Sequence, residues 1–152
     1  MCTHANDQIC LHSPRLLRAS IAKSGPDCLL EFEYDGKLPC TGAFIVGVEM
    51  SVGSRTDIRH CCIEFHDGVP TGALTYDFRG HWQADHGPVG SLDGTNIVRG
   101  RFPAWCFSGW THSRATTAFA IQNGATTHSG VQVTKGTLSR RERSDQLHLE
   151  AC

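Results

Sequence analysis

Residues 117–138 read TAFAIQNGATTHSGVQVTKGTL, and this stretch is the clearest indication of the fold class in the sequence. Its centre holds Asn123-Gly124, the dipeptide most typical of a tight β-hairpin connection. Runs of β-forming residues lie on both sides of a turn-rich centre, Thr117–Gln122 and Val131–Leu138. Two glycines stand where a strand bends or bulges to follow a curved sheet, Gly130 and Gly136. The stretch therefore predicts two neighbouring strands of a curved antiparallel sheet, as in a barrel.

Strand-sized runs recur along the rest of the chain at the spacing of about 8 to 12 residues that all-β sandwiches and barrels show. Most of them alternate apolar side chains with polar or small ones, and turn residues separate them. We predict an all-β fold, an antiparallel β-barrel of about eight strands with room inside for one small ligand. The strands predicted outside the hairpin, with a loop at 83–94, are Leu16–Ala22, Cys28–Tyr34, Ala43–Val52, Ile58–Phe65, Ala73–Trp82, Thr95–Phe102 and Asp145–Glu150.

Length and charge set the organisation and limit the partners. The 152 residues fit one domain, and we predict a flexible N-terminal tail at 1–14 and a single barrel domain at 15–152. A formal net charge of -1 provides no long-range field for nucleic acid, so we expect none as a partner. No segment approaches the ~20 apolar residues of a membrane span, and the first residues lack the pattern of an export signal. We expect a cytoplasmic protein with no membrane partner, and we leave a homodimer open.

Eight cysteines raise the question of disulfides and metal ligands. Thiols stay reduced in the cytosol, so we predict that all eight are free. Cys61 and Cys62 are adjacent on a predicted strand and point to opposite faces, which favours a packing role for both. A repeated Cys-x-His near the N-terminus offers zinc ligands, but its spacing is not that of a standard zinc motif. We therefore predict no metal and no other cofactor, with the alternative zinc site at Cys2, His4, Cys10 and His12.

The sequence contains no standard catalytic motif: the nucleophile elbow, the zinc-protease helix, the phosphate loop and the dinucleotide fingerprint are all missing. Tyr and Trp combine flat apolar area with one hydrogen-bond donor and suit an apolar pocket. Each aromatic residue alone fits an ordinary core or rim position as well, but as a group beside Pro103–Arg114, a candidate lid, they favour a pocket. The residues predicted to line this pocket are Tyr34, Phe44, Leu74, Tyr76, Phe78, Trp82, Trp105, Trp110 and Phe119.

Four short segments carry a resemblance to a known family. They are Ile63-Glu64-Phe65, Gly72-Ala73-Leu74-Thr75-Tyr76, the strand 93–102, and the hairpin order Ala120-Ile121-x-Asn123-Gly124, Ser129-Gly130, Gly136-Thr137-Leu138. The hairpin and the strand before it resemble the barrels of the allene oxide cyclase and dirigent type. The first two segments are most similar to the Ile-Glu-aromatic and Gly-x-Leu-Thr-Tyr strands of the small bacterial spirotetronate cyclases. The resemblance covers Cys28–Leu149 and implies a barrel that binds a flexible apolar molecule inside.

This resemblance implies an intramolecular cyclase of natural-product biosynthesis that folds a linear polyene or polyketide-type substrate for a Diels–Alder-type (4+2) or related cyclisation. Such a reaction needs no acid, base, metal or cofactor, because near-attack geometry alone lowers the barrier by about 7 to 11 kcal/mol in the best cases. We predict Tyr76 as the catalytic donor to a carbonyl conjugated to the alkene. In this hypothesis Trp82, Trp105 and Trp110 shape the wall and the gate, and the partner is a small apolar organic substrate.

Two other classes of function remain open on the sequence. A binding barrel without chemistry, such as a dirigent-like or lipocalin-like carrier or a lectin, predicts the same pocket. It differs from a cyclase because it releases its ligand unchanged, whereas a cyclase releases an isomer of the same mass. A capsid or assembly subunit needs a large apolar outer face, and the apolar character of both faces of Ala43–Val52 keeps that class open.

Overall fold

The chain forms β-strands and one short 3-10 helix in the ranges that the structure describes. The computed structural model describes residues 14–52, 56–108, 110 and 115–135. The 3-10 helix spans Ala104–Phe107. The strands, in chain order, are β1 (Leu16–Ser24), β2 (Asp27–Tyr34), β3 (Ala43–Ser51), β4 (Ile58–His66), β5 (Val69–Asp77), β6 (Trp82–Asp85), β7 (Gly90–Asp93), β8 (Ile97–Pro103), β9 (Ala115–Gln122), β10 (Ala125–Gln132) and β11 (Thr134–Lys135).

The strands form two sheets around one core. One sheet has the order β11-β1-β2-β8-β7, and the other has the order β10-β9-β3-β4-β5-β6. Every pairing is antiparallel except the short parallel pair of β1 with β11. The chain passes between the sheets at both edges, from β6 to β7 and from β10 to β11. The predicted all-β antiparallel fold is confirmed, whereas neither sheet closes into a barrel within the described part of the chain.

The hairpin at Asn123-Gly124 is confirmed. The two residues have φ of 50° and 79°, and the flanking Gln122 and Ala125 pair with each other. Two left-handed residues in a two-residue connection form a type I′ turn, whose twist matches that of the strands. The expected turn-rich centre beyond this turn is wrong, because β10 begins directly after it. Gly130 adopts a φ of 69° where the register shifts, so its predicted role as a bulge is confirmed.

The predicted strand at 73–82 and the predicted loop at 83–94 are both corrected. β5 ends at Asp77, and a turn containing His81, with a φ of 52°, leads into β6. Residues 83–94 contain most of β6 and all of β7. These two strands have four residues each, too few for a periodic signal, and they form by pairing with β5 and β8. The predicted strand Asp145–Glu150 lies outside the described residues.

Close contact between the sheets is made possible by two glycines. Gly90 and Gly100 are directly paired on β7 and β8, and both face the buried Ile63 of β4. A Cβ atom on either glycine would overlap the Ile63 side chain. Alternating buried residues of β2, β3, β4 and β8 fill the space between the sheets. The core therefore extends across both sheets without a break.

The cysteines divide into free and bonded ones. Within the described ranges Cys40, Cys61, Cys62 and Cys106 are free. Cys28 is disulfide-bonded, so the prediction of eight free thiols is wrong at that residue. The prediction failed because it rested on the expected compartment and not on which sulfur atoms the fold brings together. The Cys-x-His repeat of the N-terminus lies outside the described residues.

The described part of the chain contains no group of three or more His, Cys, Asp or Glu side chains placed to hold a metal ion. It also contains no helix with the length and apolar character needed to cross a membrane.

Candidate ligand-binding site

A pocket of about 300 Å³ lies between the two sheets, next to β1 and β10. Its volume is at the lower end of the range of small-molecule sites, about 300 to 1,000 Å³, and equals that of about ten water molecules. Residues of β1, β2, β3, β9 and β10 form the wall together with the chain that leads into β1. They are Pro14, Arg15, Leu16, Tyr34, Phe44, Phe119, Ala120, Gln122, Thr127 and Ser129.

The pocket exists because the inward-facing rows of two strands end there. Tyr34 is the last residue of β2 and continues its alternation of buried side chains, and Phe44 is the first buried residue of β3. Their rings meet edge to face with centroids 6.3 Å apart. The two aromatic rings therefore form the floor where the continuous core stops and the pocket begins.

The Tyr34 hydroxyl is the polar group most clearly suited to a ligand. Burial raises the pKa of Tyr34, so the phenol stays protonated at neutral pH and can donate a hydrogen bond. The Ser129 hydroxyl is already engaged, since it donates to the Ala118 carbonyl at 3.0 Å and accepts from the Val131 N–H at 3.1 Å. Gln122 and Thr127 add an amide and a third hydroxyl to the wall.

Charge at the rim of the pocket is balanced. The Arg15 guanidinium lies 3.7 Å from the Asp35 carboxylate, and the backbone N–H of Arg15 donates to the same carboxylate at 2.7 Å. Arg15 is highly exposed, so this ion pair is hydrated and weak. A wall of mostly apolar groups with a neutral donor and a balanced rim favours a neutral, largely apolar ligand with one polar group.

Three of the predicted pocket residues, Tyr34, Phe44 and Phe119, line this pocket. Phe119 belongs to the wall although its ring contacts His60 on the outer face of the sheet, with centroids 4.6 Å apart. The structure therefore brings together one part of the predicted set.

Three others, Leu74, Tyr76 and Phe78, lie away from it on the outer face of the six-stranded sheet. On β5 the buried residues are Ala73, Thr75 and Asp77, which turns Leu74 and Tyr76 to the opposite side. The ring centroids of Tyr76 and Phe78 are 4.6 Å apart, and those of Phe78 and His60 are 4.9 Å apart. The face of β5 that sequence alternation marked as inward is thus the outer one, because the polar face finds partners in the interior.

The three tryptophans gather at the other end of the interior, around Arg59. The Arg59 guanidinium lies 5.0 Å from the Trp82 ring centroid and 5.1 Å from that of Trp110, and Trp105 contacts Trp82 at 5.9 Å. Arg59 pairs with Met50 on β3, six residues beyond Phe44, which corresponds to about 20 Å along the strand. The tryptophans therefore do not share the pocket with Tyr34.

The candidate lid is part of the core where it is described. Cys106 and Phe107 of the 3-10 helix are buried, and Trp110 is only 2% exposed. Arg59 donates to the Cys106 carbonyl at 2.7 Å, which fixes the helix against β4. The described residues of this segment thus close one end of the interior.

Several residues of the wall were not predicted from the sequence, among them Leu16, Gln122 and Thr127. A usable signal was present for Thr127, since the two-residue turn fixes the register that pairs Thr127 with Ala120. No local signal marks Leu16, because it reaches the pocket only through the pairing of β1 with β2.

Comparison of this chain with protein-family models, with curated proteins and with solved structures finds no match. The resemblance to allene oxide cyclase-type and dirigent-type barrels stays a prediction from the sequence.

Proposed function

We propose that the protein binds a small, neutral and largely apolar organic molecule in the pocket between the sheets. The observation that carries this proposal is the mostly apolar pocket wall that contains a protonated phenol, Tyr34. The volume suits a ligand of roughly ten to fifteen non-hydrogen atoms. The rim ion pair of Arg15 and Asp35 leaves no net charge that would favour an ion.

Cyclisation of a linear polyene is the catalytic form of this function. A pocket that folds the chain into a near-attack conformation supplies the main effect, and Tyr34 takes the donor role that the sequence suggested for Tyr76. A hydrogen bond from the phenol to a conjugated carbonyl stabilises the charge that develops in the transition state. The connections from β6 to β7 and from β10 to β11 join the two sheets at both edges. These connections support a barrel-like arrangement around the pocket in this proposal.

The probe for both forms is a linear decatrienone in which an enone and a terminal diene are joined by a three-carbon tether. It has a size within the estimated range, carries one carbonyl and cyclises to an isomer of the same mass. Binding is measured by isothermal titration calorimetry, and turnover is measured by chromatography of the isomers against a protein-free control. Saturable binding is expected, and lack of binding would contradict the proposed function.

A matched pair of variants locates the donor. Tyr34→Phe removes one hydroxyl inside the pocket and is expected to weaken binding by about two- to tenfold, the value of one hydrogen bond. Tyr76→Phe removes the same atom on the outer face and is expected to leave the affinity unchanged. The reverse pattern would return the donor role to Tyr76, and thermal unfolding of both variants verifies that they are folded.

Turnover distinguishes the cyclase from the carrier. Accelerated formation of one stereoisomer that slows in Tyr34→Phe would support cyclisation. Saturable binding with recovery of the unchanged trienone would support the carrier.

A further inference from the structure

A second cluster of reactive side chains lies inside the fold, apart from the pocket. Cys61 of β4, Thr75 of β5, Cys106 of the 3-10 helix and His86 of the chain between β6 and β7 meet there. The Thr75 hydroxyl lies 2.8 Å from His86 Nε2 and 3.5 Å from the Cys61 sulfur. His86 Nε2 also lies 3.6 Å from the Cys106 sulfur. The proposed ligand pocket uses none of these four residues.

The two thiols share one pair of neighbours. Cys61 and Cys106 are both free and both 0% exposed, and the Thr75 hydroxyl and His86 Nε2, which lie 2.8 Å apart, contact the Cys61 sulfur and the Cys106 sulfur respectively. The thiols come from separate elements, so the packing of the 3-10 helix against the sheet brings them to this one place. Each thiol affects the pKa of the other, and proximity is the first requirement for a disulfide.

His86 connects this pair to the surface. The His86 ring is half-buried and packs edge to face against Phe102, with ring centroids 5.3 Å apart. On its other neighbour, Trp105, the centroid lies 6.0 Å away, and Trp105 is 49% exposed. Burial lowers the pKa of His86, so its imidazole is neutral at pH 7 and can accept a proton. A neutral base therefore stands between solvent and the Cys106 sulfur.

The two thiols differ in acidity. The hydrogen bond from Cys61 is the main cause that lowers the pKa of Cys106, with further help from Thr75 and Arg59 against the effect of burial. Burial raises the pKa of Cys61. Because the thiolate is the nucleophile and His86 Nε2 lies 3.6 Å from the Cys106 sulfur, Cys106 is the sulfur that reacts first.

We propose that Cys61 and Cys106 are a redox-active thiol pair that a small hydroperoxide oxidises to a disulfide, with His86 as the proton relay. In the first step the Cys106 sulfur attacks one peroxide oxygen and the O–O bond breaks. The Cys106 proton passes through His86 Nε2 to the departing oxygen, which leaves as an alcohol, or as water when the oxidant is hydrogen peroxide. Cys106 is then a sulfenic acid.

In the second step the Cys61 sulfur attacks the sulfur of that sulfenic acid. The S–S bond forms, the S–O bond breaks, and the hydroxyl leaves as water with the Cys61 proton. The two steps together oxidise two thiols by two electrons and reduce one hydroperoxide. A dithiol reductant returns the pair to the free thiols seen in the structure.

The test oxidises the folded full chain with stoichiometric hydrogen peroxide and maps the cysteines by peptide mass spectrometry after alkylation. A linked peptide pair of Cys61 and Cys106, about 2 Da lighter than the two thiol peptides together, is the expected result. In Cys61→Ser the second step is blocked, so dimedone is expected to label Cys106. Cys62→Ser is the matched control, because this adjacent thiol lies on the opposite face of β4 and the linked pair should still form.

The role of His86 is tested by rate. His86→Gln keeps a polar partner for Thr75 but removes the base, and it should slow disulfide formation by at least about tenfold. An unchanged rate would overturn the relay, and absence of the linked pair in the natural protein would overturn the whole proposal. Dimedone labelling of another cysteine in place of Cys106 would also contradict it. Mapping of the natural protein needs no variant, so the result does not depend on whether a substituted chain folds.

Discussion

The ion pair of Arg59 and Asp77 is a buried polar interaction within the described part of the chain. Arg59 donates to one Asp77 oxygen from Nε at 2.9 Å and from Nη2 at 2.6 Å, and both side chains are almost fully buried. The other Asp77 oxygen accepts from the Gly80 N–H at 2.7 Å. Burial by itself opposes ionisation of Asp77, but the hydrogen bonds from Gly80 and Arg59 outweigh it and lower its pKa.

We expect removal of one partner of this pair to be much worse than removal of both. Arg59→Met leaves a buried carboxylate without its cation and should lower the free energy of unfolding by about 3 to 5 kcal/mol. The double variant Arg59→Met/Asp77→Leu should recover a large part of that loss, since apolar replacements of a buried pair are often neutral. Urea denaturation of the three proteins measures both effects.

Arg99 provides the matched control at the surface. It pairs with Glu31 at 2.9 Å and with Asp93 at 2.6 Å, and all three side chains are substantially exposed. Arg99→Met should cost no more than about 1 kcal/mol. If Arg59→Met and Arg99→Met lowered the free energy of unfolding by equal amounts, the buried pair would contribute no more to stability than the exposed one.

At the level of elements, the approach of β7 and β8 to β4 depends on the absence of two side chains. Gly100→Ala places a Cβ against Ile63 and should lower the free energy of unfolding by about 1 to 3 kcal/mol, as overpacked cores do. Ile63→Val removes the atom nearest to the new methyl group. The double variant should therefore lose less free energy of unfolding than the two single variants lose together. Thermal or urea unfolding measures this coupling.

Gly36 is the control for this substitution. A Cβ at Gly36 would meet only Pro14, at an ordinary contact distance of 3.8 Å. Gly36→Ala should therefore leave the stability nearly unchanged. Strict additivity of Gly100→Ala and Ile63→Val would mean that the two sheets can move apart without cost.

At the scale of the whole molecule, the two sheets share one core and should unfold together. The buried cluster contains residues of both sheets, from Ala19 and Phe32 on one side to Val46 and Ile63 on the other. Domains of this size with a single core usually unfold in one cooperative transition.

Spectroscopy can test this prediction because the tryptophans lie at one end of the interior. Their fluorescence reports the region around Arg59, whereas far-ultraviolet circular dichroism reports the strands of both sheets. The two urea transitions should coincide in midpoint and slope. A fluorescence change at lower urea than the loss of strand signal would show that the tryptophan end opens separately.

The class of the fold and most of its strands can be predicted from the amino-acid sequence alone. Period-two alternation and the Asn123-Gly124 turn are local properties, since neighbouring residues create them without help from the rest of the chain. The central strands from β1 to β4 and the hairpin register follow from them. The short strands β6 and β7 do not, because they depend on the strands with which they pair.

Which face of each strand is inside, and where the pocket lies, depends on contacts that form only in the folded chain. On β5 the polar face became the inner one because Arg59 of β4 pairs with Asp77 and His86 bonds to Thr75. That choice turned Tyr76 outward and left Tyr34 as the tyrosine of the pocket wall. Alternation along a strand gives two faces with the same period of two residues. Which of the two faces is buried is fixed by partners that are distant in sequence and meet only after folding.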